Sequence, residues 1–401
     1  MGMFFSGPGQ TFTMSVFIDF YIRDFGWSRS LISILYSFAT LSSGLILFTV
    51  GRVVNRYGLR IVTTIVTMLL GLACLWNSFI TGPVMLFIGF FMLRLFGQGS
   101  MTLLPQTLVP QWFIKQRGRA FSFMMLGIIV SSTVLPPLNT WMIQTWDWSF
   151  AWRVWFVLLF FFYAPIAYFF IRNKPQDIGL LPDNAETSDI QKETLTQEKY
   201  EADKNWTLKE ARQTTTFWLM LFCVVVPAMI NTGLIFHLVS ILGESGITKS
   251  TAALVLSLMA AVSFPMNFVA GFLLDRFQAN KILGLTFSGQ FIVMLIFLFS
   301  HNKETAILFG ILRGIIQGFE VITLGVIWPN FFGTKHLGSI NGVVFTMVVL
   351  GSAFGPLPFG IGYDVFGGYS QIIIIMMLFP LLGAIAAFIV RHPQKGARNF
   401  L

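Results

Sequence analysis

Three polar residues are spaced so that one helix would bring them to the same face. Arg313, Gln317 and Glu320 stand at positions i, i+4 and i+7 of an apolar stretch, and such positions are neighbours on a helix surface. Ionisable residues in apolar segments are costly and usually serve a function. Glu320 could accept a proton, or release Arg313 when it is protonated. The alternative is a permanent ion pair that only fixes the helix against its neighbours.

A second arginine lies in an apolar segment that contains no carboxylate. Arg94 and Gln98 repeat the spacing of Arg313 and Gln317, 219 positions earlier. In a medium of low dielectric constant, a guanidinium can bind a carboxylate through two parallel hydrogen bonds. Arg94 is therefore a candidate anchor for an anionic substrate. Hydrogen bonding that only supports the structure is the alternative.

The first apolar segment carries polar residues beside a helix-breaking sequence. Ser6, Gln10 and Thr13 would share one face of a helix that contains the sequence Gly-Pro-Gly at 7–9. Pro8 removes a backbone donor, so carbonyl groups become free at a depth where only protein or a water-lined cavity can satisfy them. Interrupted helices of this kind often line a substrate site, which makes Gln10 and Thr13 candidate contacts. Close helix packing is the alternative.

Two other titratable residues are candidates for proton coupling. His237 is the only histidine inside a predicted apolar span, and histidine changes charge near neutral pH. A histidine that only packs and forms a hydrogen bond is the alternative. Asp19 lies near the end of the first span, where we expect it to form a solvated pair with Arg23.

Hinges are predicted at Pro136 and at the pair formed by Gly355 and Pro356, because these residues interrupt helices.

The composition indicates where these residues must reside. Of the 401 residues, 55% are hydrophobic and only 11% are charged, whereas soluble domains carry roughly 25% charged residues. A helix that spans a bilayer needs about 20 apolar residues. The sequence predicts an all-α membrane protein with twelve such helices, at 1–20, 28–50, 61–80, 84–108, 119–141, 153–171, 217–242, 250–273, 282–299, 305–328, 338–360 and 371–390.

The twelve predicted helices form two repeats. Gly51–Arg60 and Gly271–Arg276 have similar sequences 220 positions apart, and each lies in a short basic gap between two apolar segments. We therefore expect two pseudo-symmetric six-helix bundles, at 1–171 and 217–401, joined by a hydrophilic linker at 172–216 with a short amphipathic helix near its end. Parallel repeats of six helices are typical of transporters that expose a central site alternately to the two sides.

Lysine and arginine are distributed unequally between alternate loops. If the first helix runs outward, 19 of the 26 basic residues lie in the inner loops and tail, five in the outer loops and two inside helices. Both termini of this multi-pass protein are therefore expected in the cytoplasm of a cell with a bacterial-type inner membrane. The net charge of +9 predicts contact with anionic lipid and no nucleic-acid partner. Apolar sequence begins at residue 1, so we expect the natural start to lie further upstream.

The first basic gap resembles the loop between helices 2 and 3 of the major facilitator superfamily, whose pattern is G-x-x-x-D-[RK]-x-G-x-[RK]. Asn55 replaces the usual Asp, which Asp275 keeps in the second half. A carboxylate near a helix end could hold a basic partner across the interface between the halves and stabilise one closed state. The gating residues implied by this resemblance are Gly51, Asn55, Arg56, Gly58, Arg60, Gly271, Asp275 and Arg276.

A narrower resemblance is to the branch that contains oxalate/formate antiporters and monocarboxylate transporters. It lies in Phe25–Ser28, Lys174–Gly179, Pro182–Asp183, Phe331–Ile340 and Gly355–Pro356 with Asp364. Members of that branch commonly bind carboxylates with a basic residue in helix 8 or helix 11. Thr251–Leu274 and Ser339–Tyr363 contain no charged residue. This departure argues against oxalate-like dianions.

Several other chemistries are not expected. Cys74 and Cys223 lie in separate apolar helices and the four histidines are scattered, so neither a disulfide framework nor a metal site is predicted. The sequence contains no phosphate-binding P-loop, so an ion gradient would have to drive uphill transport. Catalytic carboxylates and histidines are not clustered, which argues against an enzyme. No cofactor is expected.

These observations lead to one hypothesis and two alternatives. We expect a monomeric secondary transporter that moves a small organic anion, a monocarboxylate, by symport with a proton. The substrate would bind near the middle of the membrane between helices 1, 4, 5, 7, 8, 10 and 11. An antiporter or efflux transporter of another small solute is the first alternative. A receptor or scaffold that transports nothing is the alternative from a different class.

Overall fold

Every regular element that the structure describes is helical. The computed structural model describes residues 1–113, 117–173, 175–179, 206–274, 276–300, 302–333 and 337–393. In the N-terminal part, the α-helices are α1 (Gly2–Phe5), α2 (Thr11–Phe25), α3 (Arg29–Tyr57), α4 (Leu59–Asn77), α5 (Pro83–Met92), α6 (Met101–Trp112), α7 (Arg117–Thr145), α8 (Trp148–Val157) and α9 (Ala164–Phe170). In the C-terminal part they are α10 (Leu208–Ala211), α11 (Thr215–Glu244), α12 (Lys249–Leu274), α13 (Ala279–Leu298), α14 (Lys303–Phe332), α15 (Leu337–Phe354), α16 (Pro356–Phe366) and α17 (Ser370–Ile389).

Shorter helical turns of other types interrupt or follow these helices. Two are 3₁₀ turns, at Gly7–Gly9 and Pro175–Ile178. Two are π-helical turns, at Leu93–Ser100 between α5 and α6 and at Leu158–Tyr163 between α8 and α9. The predicted helices 84–108 and 153–171 therefore exist, but each contains a wider turn that its apolar pattern does not indicate.

The helices are long and apolar enough for a membrane. Among the described residues, eleven helical segments could cross a bilayer by length and composition. The predicted first span, 1–20, is instead divided between α1, the 3₁₀ turn and α2, and each piece is too short to span alone. Large apolar side chains such as Phe123 and Phe170 are 74% and 80% exposed, which suits a surface in contact with lipid. The prediction of an all-α membrane protein is confirmed.

Matching contacts occur at the same position in the two repeats. At the start of α4, Arg60 Nε donates to the carbonyl oxygen of Tyr168 in α9, at 2.6 Å. At the start of α13, Asn280 Nδ2 donates to the carbonyl oxygen of Val390, directly after α17, at 3.1 Å. The donors are 220 positions apart, which is the offset of the repeated loop motif. In each repeat, a side chain at the start of the third helix thus satisfies a free carbonyl at the end of the sixth.

The chain divides into two compact units. The first consists of Met1–Asp189, Ile235–Gly243 and Thr248–Ser257, and the second of Ile190–Leu234, Glu244–Ile247 and Leu258–Leu401. Helices α11 and α12 therefore contribute residues to both units. The division predicted from sequence, at 1–171, 172–216 and 217–401, stays a prediction.

Aromatic residues fix α2 within the first unit. The rings of Phe17 and Trp152 are stacked with their centroids 4.3 Å apart, and Trp152 Nε1 donates to the hydroxyl of Tyr21 at 2.9 Å. All three side chains are at most 1% exposed. Buried aromatic pairs contribute beyond the area they bury, and the indole N–H requires a partner when it leaves water. The register of α2, and hence the position of Thr11 at its start, is set by these contacts.

The linker ends in a short capped helix, as predicted. Thr207 and Glu210 form a reciprocal capping box at the start of α10, which satisfies two backbone donors. Directly before it, the backbone N–H of Trp206 donates to the carbonyl oxygen of Phe332 at 2.9 Å. The indole ring of Trp206 is 7% exposed and makes an edge-to-face contact with the Phe332 ring. The end of the linker is therefore attached to the end of α14.

The two predicted hinges differ in structure. Pro136 lies inside α7, which continues from Arg117 to Thr145. The helix predicted at 338–360 is interrupted at Gly355, between α15 and α16, and Pro356 begins the second piece. A methyl group built on Gly355 would lie 2.3 Å from the carbonyl oxygen of Met229, so this glycine allows α11 to approach closely. Motion at either hinge stays a prediction.

Candidate functional site

Two interrupted helices meet in the first unit. The 3₁₀ turn Gly7–Gly9 packs against the π-helical turn Leu93–Ser100, in which the backbone N–H of Met101 bonds the carbonyl of Phe96, five residues earlier. A methyl group built on Gly9 would lie 2.2 Å from the Leu93 carbonyl oxygen and 2.6 Å from Gly97 Cα. Only glycine at both positions permits this approach. Such π-helical turns are frequent at functional sites, and this one holds Arg94 and Gln98.

Arg94 forms a small polar cluster with residues of α2 and α3. Its side chain is buried, and Nη1 donates to Thr11 Oγ1 at 3.3 Å. Thr11 Oγ1 is 2.8 Å from the hydroxyl oxygen of Tyr36. The guanidinium carbon lies 5.0 Å from the centroid of the Tyr36 ring, whose face attracts a cation. We call Thr11, Tyr36 and Arg94 the Arg94 cluster.

The Arg94 cluster holds a positive charge without a carboxylate. The ion pairs described in the first unit join Arg23 to Asp24 and Arg29 to Asp19, and no described carboxylate oxygen lies within 4.0 Å of an Arg94 nitrogen. Arg94 Nε has no hydrogen-bond partner among the described residues. A buried ion without a counterion is strongly unfavourable. Among the described residues, the charge of Arg94 therefore has no carboxylate counterion.

The polar residues predicted beside Arg94 take different positions. Gln10 has an extended backbone between the 3₁₀ turn and α2, and its Nε2 donates to Ser6 Oγ at 3.2 Å. Thr13 is fully buried, and neither its Oγ1 nor Gln98 Oε1 has a partner among the described residues. The single helical face predicted for Ser6, Gln10 and Thr13 is wrong, because the helix is interrupted at Gln10. Their role as substrate contacts stays a prediction.

A second polar cluster occupies the interior of the second unit. Arg313, which is 1% exposed, donates from Nη2 to Glu320 Oε2 at 3.1 Å and to Asn231 Oδ1. Asn231 Nδ2 donates to the same carboxylate oxygen at 3.0 Å. Gln290 Nε2 donates to Asn231 Oδ1 at 3.4 Å. We call Asn231, Gln290, Arg313 and Glu320 the Glu320 cluster.

The Glu320 cluster is neutral but not saturated with hydrogen bonds. Arg313 Nη1, Glu320 Oε1 and Gln290 Oε1 are buried and have no partner among the described residues. Gln317, which was predicted on the same face, is only half-buried and makes no hydrogen bond to a described residue. Sequence reasoning did not single out Gln290 and gave no basis for assigning a role to Asn231. Both lie on other helices, α13 and α11, and only the tertiary fold brings them to Arg313.

Two predicted coupling residues lie near one end of the first unit. His237 is fully buried, with Nε2 3.1 Å from Ser33 Oγ. Asp19 does not pair with Arg23 as predicted, because Arg23 binds Asp24 at 2.7 Å and Asp19 binds Arg29 Nη1 at 3.0 Å. The cause is the turn after α2, where Gly26 adopts a left-handed conformation with φ of 68° and the chain reverses to bring Arg29 back.

The loop motif holds two helices of the first unit together. Gly58 has φ of 81°, and a methyl group on it would lie 2.7 Å from the side chain of Asn173. Asn173 Oδ1 accepts a hydrogen bond from the backbone N–H of Arg60 at 2.9 Å. Sequence reasoning missed Asn173, whose position in the linker region gave no signal.

Only some of the gating residues predicted for the loop motif are described in the structure. Asp275 lies outside the described residues, as do the side chains at positions 51 and 55. Arg56 and Arg276 are exposed, and their guanidinium groups lie over the rings of Tyr57 and Phe272. A methyl group on Gly271 would meet no described atom within 4 Å, so close helix approach does not explain this glycine. The gating role of the motif stays a prediction.

Comparison with known families decides the class of the protein. The family model of the Major Facilitator Superfamily matches residues 1–356 and, in a second match, residues 217–400. The chain belongs to the major facilitator superfamily. Members of this superfamily are transporters and not enzymes, so this protein is a membrane transporter.

Solved structures of superfamily members share the fold. An inward-facing, occupied structure of a bacterial homologue of the human lysosomal transporter Spinster has a TM-score of 0.72 at 13% identity, over 97% of this chain and 94% of that one. The unoccupied form has a TM-score of 0.73 with the same identity and coverage. A D-xylose–proton symporter has a TM-score of 0.72 at 16% identity, over 100% and 97% of the two chains. No curated protein sequence matches the chain. At these identities the likeness establishes the twelve-helix fold of the superfamily and no substrate.

Proposed function

We propose that this transporter carries a small organic anion, a monocarboxylate, together with a proton. The observation that supports the proposal most strongly is the buried guanidinium of Arg94, which has no carboxylate partner among the described residues. Arg94 uses one N–H for Thr11, and a guanidinium has five. A substrate carboxylate can accept two of the remaining donors in parallel and supply the missing counterion.

The charges of the two clusters favour a substrate with one negative charge. Arg94 contributes one uncompensated positive charge, whereas Arg313 is already neutralised by Glu320 at 3.1 Å. A monocarboxylate would make the Arg94 cluster neutral. A dianion would bring a second negative charge into the low-dielectric interior without a partner, which is unfavourable. The absence of basic residues from Thr251–Leu274 and Ser339–Tyr363 supports the same choice.

Glu320 is the residue that we assign to the proton. Its Oε2 accepts hydrogen bonds from Arg313 and Asn231, while Oε1 is buried without a described partner. A proton on Oε1 would neutralise the carboxylate without displacing either donor, and would weaken its hold on Arg313. Charged intramembrane residues of this kind commonly form proton relays in transporters.

The fold supports a transport cycle of alternating access. We propose that residues 1–171 and 217–401 rock against each other, so that the substrate site opens alternately to the two sides. With the excess of lysine and arginine on the inner side, both termini would lie in the cytoplasm and the protein would reside in the inner membrane. Symport then means that a proton gradient directed into the cell drives uptake.

Uptake into proteoliposomes tests this proposal. Labelled acetate, lactate and pyruvate are offered to the purified protein with and without an imposed inward proton gradient, and protein-free vesicles give the background. We expect saturable uptake of at least one acid, accelerated by the gradient and accompanied by alkalinisation outside the vesicles. Labelled oxalate is the matched dianion and should be taken up far more slowly.

Two results would contradict the proposal in different ways. If folded protein carries none of the acids, the monocarboxylate assignment is wrong and efflux substrates become the next candidates. If uptake occurs at the same rate with and without the gradient, and no proton moves, then transport of the anion stands but proton symport is rejected.

A further inference from the structure

One short segment of α11 is buried against the helices that carry the Arg94 cluster. Residues 236–240 belong to the first compact unit, and each of the five is at most 3% exposed. We call residues 236–240 the α11 segment. The rest of α11 before Ile235 belongs to the second unit. The segment is therefore the part of a C-terminal helix that is packed with N-terminal ones.

Three of the described contacts join the α11 segment to α2 and α3. The rings of Phe236 and Tyr36 are 4.4 Å apart, His237 Nε2 is 3.1 Å from Ser33 Oγ, and Ser240 Oγ donates to Asp19 Oδ1. The contact residues on α11 are separated by one and three positions, so one face of the helix makes all three contacts. Ser33 and Tyr36 likewise share a face of α3.

We propose that Asp19 is a positioning residue that keeps the α11 segment closed over the Arg94 cluster. The same carboxylate oxygen accepts hydrogen bonds from Arg29 of α3 and from Ser240 of α11. Hydrogen bonds to an ionised acceptor are about twice as strong as neutral ones, and the Asp19 side chain is only 13% exposed. Asp19 thus joins α2, α3 and α11 at one point. The other two contacts, the hydrogen bond between Ser33 and His237 and the ring contact, join only α3 to α11.

Tyr36 connects this closed segment to the substrate site. Its ring contacts that of Phe236 and lies beneath the guanidinium of Arg94, and its hydroxyl is 2.8 Å from Thr11 Oγ1. An anion that bound Arg94 would draw the guanidinium and Thr11 towards itself and change the position of the Tyr36 ring. Of the three contacts named above, the α11 segment would then lose the ring contact of Phe236 and keep those of Ser240 with Asp19 and of His237 with Ser33. Only this last step rests on the proposed function.

Distances between two spin labels test the role of Asp19 without any substrate. Both cysteines, Cys74 and Cys223, are buried and are replaced by alanine. Labels are attached to cysteines introduced at Thr145, an exposed residue at the end of α7, and at Gly243, which is exposed and has open space around it. Both positions belong to the first unit. Pulsed electron paramagnetic resonance then gives the distribution of distances between them.

Asp19→Asn should add a population whose distance is longer by about 5 Å, roughly one helical turn. Asp19→Glu, which keeps the charge, should restore the parent distribution. Asp24→Asn is the matched control, because Asp24 lies on the same helix end and its partners among the described residues are Arg23 and Trp148. It should leave the distances unchanged.

A second variant keeps the test decisive if Asp19→Asn fails to fold. Ser240→Ala removes only the hydroxyl that donates a hydrogen bond to Asp19, and it should also lengthen the distance between the labels. Parent-like distances in whichever of these two variants folds would overturn the proposal. Equal shifts in Asp24→Asn would also overturn it, because loss of any carboxylate at this end would then suffice. Since no substrate is present, none of these results depends on what the protein carries.

Discussion

Gly9 and Gly97 approach so closely that neither could carry a side chain. A methyl group on Gly97 would lie 2.7 Å from Gly9 Cα, and one on Gly9 would lie 2.6 Å from Gly97 Cα. The contact joins the interruption of the first helix to the π-helical turn that holds Arg94. It therefore fixes the distance between Thr11, at the start of α2, and the guanidinium that Thr11 binds.

Gly9→Ala and Gly97→Ala should each destabilise the protein by about 1–3 kcal/mol, because the added methyl group overpacks a contact between two backbones. Gly325→Ala is the control, since nothing lies within 4 Å of a methyl group there and alanine favours a helix interior by up to about 1 kcal/mol. Thermal unfolding in detergent compares the three variants. Parent-like melting of Gly9→Ala would show that the contact does not support the fold.

The sequence predicted the fold because the signals it used are local or periodic. Apolar runs of membrane length identify the helices, and the repeated loop motif identifies the two halves, whose matching contacts at Arg60 and Asn280 follow the predicted offset of 220. The interruption of the first helix was also indicated by Gly7–Gly9. These features depend on a few neighbouring residues, so they can be read without knowledge of tertiary contacts.

The parts that could not be predicted depend on contacts between distant segments. Nothing in the sequence around Arg94 indicates a π-helical turn, although Gly97 stands where the second half has Ile316. Asn231 reaches Arg313, and Gln290 reaches Asn231, only through the packing of three helices. The sequence pairs Asp19 with Arg23, four positions away, whereas the chain reversal at Gly26 brings Arg29 back to Asp19.

Arg94→Gln should abolish saturable uptake, because it removes the charge that binds the carboxylate. Arg94→Lys keeps the charge but loses the two parallel donors, so we expect KM to rise about tenfold, which corresponds to about 1.4 kcal/mol. Arg153→Gln is the control, since Arg153 is an exposed residue whose guanidinium lies over the Phe79 ring. Uptake kinetics in proteoliposomes measure all three. Equal KM values for Arg94→Lys and the parent would rule out bidentate binding.

Asn173→Ala should lower the free energy of unfolding by about 1 kcal/mol, the usual contribution of one hydrogen bond, because the backbone N–H of Arg60 loses its acceptor. Asn280→Ala should cost a similar amount by releasing the carbonyl of Val390. The two sites share no partner, so the losses should add in the double variant. Asn330→Ala is the control, as this exposed residue has no described hydrogen bond. Denaturant titration of the four variants provides the values, and a strongly non-additive result would argue against independent sites.

Glu320 and Arg313 allow the coupling role to be separated from a purely structural ion pair. Glu320→Gln leaves the guanidinium of Arg313 buried without its carboxylate, and loss of one partner of a buried pair costs about 3–5 kcal/mol. The double variant Glu320→Gln with Arg313→Gln removes both charges, so it should regain most of that stability. Thermal unfolding in detergent gives this comparison, and Glu304→Gln, an exposed change on the same helix, should melt like the parent.

Uptake by the double variant then distinguishes the two roles. If Glu320 carries the proton, the restored protein should equilibrate substrate across the membrane but should not accumulate it against a gradient, because no other described residue of the Glu320 cluster can take up a proton in its place. If the pair is only structural, accumulation should return together with stability. Parent-like accumulation by the double variant would therefore exclude Glu320 from coupling, whereas stable protein that only equilibrates substrate would assign the proton to it.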